Sequence, residues 1–290
     1  MLKLLHLTAA LALTVVASNN SNAIAQTTSP DLPTFTAESD PESAYRIGIT
    51  HLQSAEAAQA VRWLRPAAER GHAAAQTTLG MLYRTGNGVE QNLQEAAMWT
   101  IEAAEQNYAV AQVSIALMYE NGHGVPQSDI VAARWYARAA EQGFAAAQAS
   151  LGRLFEDGRG VPQNYTNAAH WYDRAAEQGD AESQLRLAML YIEGQGVPID
   201  PTRGAFWLRR SAEQGNRVGQ FMLGSMYQDG FGVPQDNVKA HMWFNISAAH
   251  GMVEAVRFRD LLGEILSSSQ ISEAQGMAEI CMSSGFRDCN

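Results

Sequence analysis

Small and apolar residues recur along this chain with two spacings, one nested in the other. The short one is helical. Between Ala145 and Asp157, Ala147, Leu151, Leu154 and Phe155 fall three or four apart, which predicts an amphipathic helix of about three turns. Gly158-Arg159-Gly160-Val161-Pro162 then breaks it. Glycine accepts the left-handed conformation that follows a helix end, and proline cannot extend a helix backwards. A second helix is predicted from about Tyr165 to Gln178, with Ala168, Trp171, Ala175 and Ala176 on one side and Gly179 as its stop. No strand-like alternation occurs in the segment.

The long spacing is 36 residues. Gly88, Gly124, Gly160, Gly196 and Gly232 keep it, as do Gln76, Gln112, Gln148, Gln184 and Gln220. The chain's 6 Trp fall in one column, at Trp63, Trp99, Trp135, Trp171, Trp207 and Trp243. The helix pair is therefore a repeated unit, and a length of 290 residues does not mean two globular domains. Small residues at Ala96, Ala132, Ala168, Gly204 and Ala240 let neighbouring helices approach. The tryptophans are expected to fill the gaps between successive pairs, Trp171 among them. One pair cannot bury its apolar stripe alone, whereas stacked pairs can.

The pattern A-x-x-x-L-G-x-x-Y-x-x-G-x-G-V-P-Q, followed by A-x-x-W-[YF] and A-A-E-Q-G, resembles the Sel1-like repeat, a relative of the tetratricopeptide repeat. The resemblance implies an all-α, right-handed α-solenoid of stacked antiparallel helix pairs. Five copies are read over 72–251, and a degenerate N-terminal copy over 41–71 keeps Trp63 and Gly71 with a loop four residues shorter. Glu90, Asn107 and Ile199 depart from the pattern. Residues 252–290 are expected to form a helical cap: one helix over Met252 to Leu266, a break at Ser267-Ser268-Ser269, and a last helix over Ile271 to Met282.

Charge and the termini narrow the function. The formal charge is −10, with only two lysines, Lys3 and Lys239, and no basic run. That disfavours nucleic acid and anionic membranes as partners. Met1 to Lys3, the apolar run Leu4 to Ala17 and Ala23-Ile24-Ala25 have the layout of a secretory signal peptide over 1–25, with Ala17 as an alternative cleavage point. Residues 26–40 read as a flexible leader. The expected location is periplasmic or secreted, without membrane insertion after cleavage. An oxidising compartment allows a disulfide between Cys281 and Cys289, worth roughly 2–3 kcal/mol on the chain-entropy model.

No catalytic, cofactor or metal site is expected. The 7 His show neither H-x-H nor H-E-x-x-H, and the G-x-G-V-P loops follow helices and read as turns. The resemblance also brings in cysteine-rich secreted relatives associated with penicillin binding and β-lactam hydrolysis. Here the per-repeat cysteines are missing, and Asp236 stands where S-x-x-K would need serine before Lys239. A cell-wall or β-lactam-related hydrolase is thus the alternative, and a non-enzymatic scaffold the preferred reading. In solenoids of this kind the first helices line the concave face. The expected partner-binding stripe is Thr78, Met81 and Thr85; Ser114, Leu117 and Asn121; Ser150, Arg153 and Asp157; Arg186, Met189 and Glu193; and Met222, Ser225 and Asp229. These columns vary between copies while the Trp, Gly and Ala columns hold. Their substitution is expected to leave the stack folded. A protein or peptide partner is expected on a monomeric chain.

Overall fold

The computed structural model describes residues 40–289; the segments read from the sequence as a signal peptide and a leader, but for residue 40, lie outside them. Among the described residues there are fourteen helices and no strand. They run as antiparallel pairs: α1 (Pro41–Gln53) with α2 (Ala57–Glu69), α3 (Ala73–Thr85) with α4 (Leu93–Glu105), and α5 (Ala109–Asn121) with α6 (Asp129–Glu141). Next come α7 (Ala145–Asp157) with α8 (Tyr165–Glu177), α9 (Ala181–Glu193) with α10 (Pro201–Ala212), and α11 (Arg217–Asp229) with α12 (Asn237–Ala249). Two further helices, α13 (Val253–Ile265) and α14 (Ser268–Ser283), follow, and each packs against α12. The chain divides into two compact units. One reaches Ile115 and takes in His123–Val125; the other comprises Ala116–Gly122 and everything from Pro126.

The connection inside each regular pair is built the same way. An αL glycine follows the first helix, as at Gly86, Gly158, Gly194 and Gly230. The backbone N–H of Asn92, Ser128, Asn164, Asp200 or Asp236 then returns to the carbonyl of Tyr83, Tyr119, Phe155, Tyr191 or Tyr227 at 2.8 or 2.9 Å. Those same five side chains cap the second helix by accepting from backbone N–H groups of its first turn. The loop glutamines Gln91, Gln127, Gln163 and Gln235 donate to carbonyls near the end of the first helix at 2.8–3.0 Å. Ile199 has no such donor, and its side chain is exposed.

Two columns join one pair to the next. Each buried repeat glutamine (76, 112, 148, 184 and 220) donates to a carbonyl eight residues upstream, at 3.0–3.2 Å, binding the end of the preceding second helix. In the second unit Gln178 and Gln214 donate in turn to the Oε1 atoms of Gln148 and Gln184, at 2.7 and 2.8 Å. The second loop glycine sits against the start of the preceding second helix. A Cβ at Gly160 would lie 2.2 Å from Asp129 O, and one at Gly196 would lie 2.2 Å from the carbonyl carbon of Tyr165.

Alanines fill the interior as expected: Ala132, Ala139, Ala140, Ala168, Ala175 and Ala176 are fully buried. The tryptophan column behaves less uniformly. Trp63, Trp99, Trp207 and Trp243 are buried, but Trp135 and Trp171 are only partly so. In those two copies the following residue, Tyr136 or Tyr172, fills the interior. The guanidiniums of Arg138 and Arg174 lie over the indoles, 4.8 and 5.5 Å from the ring centroids. Trp171 is thus a partly buried edge residue and not a fully buried filler between pairs.

At the C-terminus the expected serine break resolves differently. The chain turns at Leu266, and Ser267 caps α14 in a capping box with Gln270, so Ser268 and Ser269 are already helical. Cys281 and Cys289 form a disulfide with Cα atoms 4.5 Å apart, and both are buried.

His241 on α12 is buried, and its Nδ1 has no hydrogen-bond partner. The equivalent residues in other copies are alanines, such as Ala169 and Ala205. Burial first, and then the charge of Arg259, hold its pKa below the ordinary 6.5. Below about pH 6.5 the unfolded chain therefore binds a proton that the folded chain refuses. The His241 contribution to stability is complete above that pH and falls as pH drops toward the folded pKa. Urea melts at pH 7.5 and 5.5 should show the native chain losing more stability than His241→Ala over this interval. Parallel losses would place the pH sensitivity elsewhere.

Candidate functional site

The stripe read from the sequence lies on the first helices α3, α5, α7, α9 and α11. In the first unit Thr78 departs from expectation: it is buried. Its hydroxyl donates to Ala74 O at 2.8 Å, and its side chain lies near the Tyr45 phenol of α1. Burial there pushes the Tyr45 phenol up to about 12. Met81 and Ser114 are half-buried and Thr85 is exposed. Thr85 and Ser114 turn their hydroxyls back onto Met81 O and Val110 O of their own helices.

In the second unit Leu117, Ser150, Arg153, Arg186, Met189, Met222 and Ser225 are half-buried, and Asn121, Asp157, Glu193 and Asp229 are exposed. Met189 and Met222 rest on the hydrophobic core while keeping part of their surface in solvent. The two arginines are not free. Glu120, 9% exposed, accepts from the Tyr136 hydroxyl at 3.1 Å, from Arg153 Nη2 at 2.7 Å and from Arg159 Nη1 at 3.1 Å. One repeat on, Glu156 accepts from the Tyr172 hydroxyl and pairs with Arg186 at 3.6 Å. Burial foremost holds both phenols protonated well above their ordinary range, and the partner carboxylates add to it.

Arg153 and Arg186 are therefore braces that tie one repeat to the next. Replacing Arg153 with glutamate would set a second carboxylate against a buried one, so it perturbs the stack, contrary to the expectation from sequence. The signal was faintly present: a Glu in one copy, a Tyr 16 residues on and an Arg about 30 residues on occurs twice.

Three acids close the stripe in this unit. Asp157, Glu193 and Asp229 are the last residues of α7, α9 and α11. A carboxylate there opposes the negative end of the helix dipole. Among the described residues Glu193 and Asp229 make no ion pair, and Asp157 has only Arg153 at 3.9 Å. No group of three His, Cys, Asp or Glu able to hold a metal is found among the described residues. No described helix is long and apolar enough to cross a membrane.

Helix pairs joined by glycine loops, buried glutamines and interlocking alanines define an α-solenoid repeat protein, a class built for interaction with other proteins. The Sel1 repeat model matches residues 41–72, 73–108, 109–144, 145–180, 181–216 and 218–252, and the chain belongs to that family. It is similar to a solved protective antigen of the SLR fold present in uropathogenic Escherichia coli strains, at 32% identity and a TM-score of 0.76. That match covers 85% of this chain and 55% of the antigen's, so the chain spans little more than half of that protein's length. A Sel1 repeat protein from Oxalobacter formigenes is 33% identical with a TM-score of 0.69, over 80% of this chain and 94% of its own. No curated protein matches the chain.

Proposed function

We propose that this protein is an exported, non-enzymatic scaffold that binds a basic peptide segment of a partner protein along its first-helix stripe. The observation that carries the reading is the row formed by Asp157, Glu193 and Asp229, exposed at three successive helix ends beside the partly exposed Met189 and Met222. Acids at helix C-termini do not help the fold, and the equivalent positions in earlier copies are the neutral Thr85 and Asn121. Methionine offers adaptable apolar contact between the charges. The Cys281–Cys289 bridge agrees with an oxidising compartment, as does the signal-like start.

Export is tested on the natural protein: chain recovered from the periplasm or medium should begin near Gln26, and an intact Met1 in the cytoplasm would remove this part of the reading. Binding is tested with Asp157→Lys, Glu193→Lys and Asp229→Lys combined. The variant should melt at the same temperature or slightly higher, yet lose at least tenfold in affinity for the partner retained by the native chain, with the largest loss at low salt. Unchanged affinity would place the partner on another surface.

A further inference from the structure

Successive second helices in the second unit border an open cavity of about 560 Å³ between α8 and α10, with Leu187 and Tyr191 of α9 also on its lining. This is within the size range of ligand pockets, roughly 300–1,000 Å³. Its walls join two chemistries. Asp173 and Glu177, one turn apart on α8, supply carboxylates; Phe206 and Trp207 on α10 supply aromatic surface. Among the described residues neither carboxylate accepts a hydrogen bond or makes an ion pair. The one arginine on the lining, Arg203, is engaged elsewhere: it donates to the Tyr191 hydroxyl at 3.0 Å, lies over the Tyr191 ring and stands 3.9 Å from Asp200.

Glu177 and Trp207 belong to recurring columns of the repeat, but the repeat architecture does not call for Asp173. At the position of Asp173 the other regular copies carry Ile101, Ala137, Arg209 and Asn245, so no other regular copy brings an acid there. Desolvation foremost, then the charge of Glu177, raises the Asp173 carboxyl above its ordinary range, and the opposing charges of Arg203 and His170 are smaller influences. Asp173 is thus a partly desolvated carboxylate beside a second acid, an arrangement that a cation seated between the two would favour. Phe206, 54% exposed, extends the apolar surface outward from the cavity.

The geometry points to this cavity as the seat of a lysine or arginine side chain of a bound peptide, with the cation at Asp173 and Glu177 and the stem against Phe206 and Trp207. Aromatic faces beside the cation add attraction. Phe206 favours a peptide over a free amine, because a residue flanking the basic one would cover its exposed ring. The cavity shares no residue with the first-helix stripe, and this inference stands without that reading.

Titration calorimetry on the full mature chain tests it with three probes: acetyl-Leu-Lys-Leu-amide, the same peptide with norleucine for lysine, and cadaverine. The lysine peptide should bind saturably and at least tenfold tighter than either other probe. Asp173→Asn should cost the lysine peptide at least tenfold, leave the norleucine peptide unchanged, and melt no lower than the native chain. Asp173→Ala, with the residue that occupies this column at Ala137, serves if the asparagine variant misfolds. Phe206→Ala should weaken both peptides. Equal binding of the lysine and norleucine peptides, no saturation by the lysine peptide, or indifference to both Asp173 variants would overturn the site. Cadaverine matching the lysine peptide would overturn the assignment to a peptide.

Discussion

Replacing Gly160 with alanine is expected to destabilise the protein by about 2–5 kcal/mol, more than the turn conformation alone explains. Gly160 has φ +70°, a region that costs an L-residue roughly 1–2 kcal/mol. The remainder comes from contact between repeats. The new Cβ would lie 2.2 Å from Asp129 O and 2.3 Å from its carbonyl carbon, against backbone that cannot rotate away. The loop must lift off the start of α6, and such overpacking typically costs about 1–3 kcal/mol more. Gly179 separates the two contributions. It also has a positive φ, +94°, but a Cβ there meets nothing within 4 Å. Gly179→Ala should therefore lose only the conformational part. Urea denaturation followed by far-ultraviolet circular dichroism compares them, and equal losses would mean that this close approach contributes nothing to the stack.

Trp243→Ala is expected to cost a similar amount, about 3–5 kcal/mol, because the indole is 2% exposed and no neighbour can fill the space it leaves. Phe244 beside it is already committed: its ring packs with those of Phe221 and Phe258, at 5.5 Å from each. The same change at Trp171 should cost about half as much or less, since that ring keeps one side in solvent beneath Arg174. Thermal melts of the two variants test the ranking. A larger loss at Trp171 would show that the edge tryptophans carry the contact between pairs.

That contrast marks what a repeat reveals in sequence and what it conceals. Period, helix spans and loop breaks were legible because they depend on spacing within one copy: Ala145–Asp157 and Tyr165–Glu177 fall where the apolar pattern of that copy placed them. The shortened first connection was legible for the same reason. Only Ser54, Ala55 and Glu56 join α1 to α2, where seven residues join α3 to α4. Contacts between copies were not legible. The glutamine column was visible as a period, but its role depends on a carbonyl eight residues back and an amide 30 residues on, brought close only by stacking. The second glycine looked like a turn residue and proves to be a point of close approach between repeats.

Individual members of the stripe were misread, for a physical reason. A varying column shows that a residue is not needed by every copy, not that it is free in its own. Thr78 varies from the equivalent residues of the other copies and is nonetheless buried in its own. Arg153 varies because Glu120 and Tyr136 give this copy an acid to brace. Asp173 carries the opposite lesson: on a second helix, where no partner was sought, a singular acid lines a cavity that only the packing of α8 beside α10 creates.

The central claim, that the first-helix stripe receives the partner, is tested most directly by site-specific photo-cross-linking in the natural envelope. A benzophenone side chain is placed in turn at Glu193, at Asp229 and, as a control on the exposed side of α6, at Glu141. Cross-linked products are then identified by mass spectrometry. The account predicts that Glu193 and Asp229 capture one and the same protein through a peptide rich in lysine or arginine. It also predicts that Glu141 does not, and that the product disappears when the remaining stripe acids are changed to lysine. Capture of that protein from Glu141 alone, or from the stripe positions with no dependence on the acids, would contradict it.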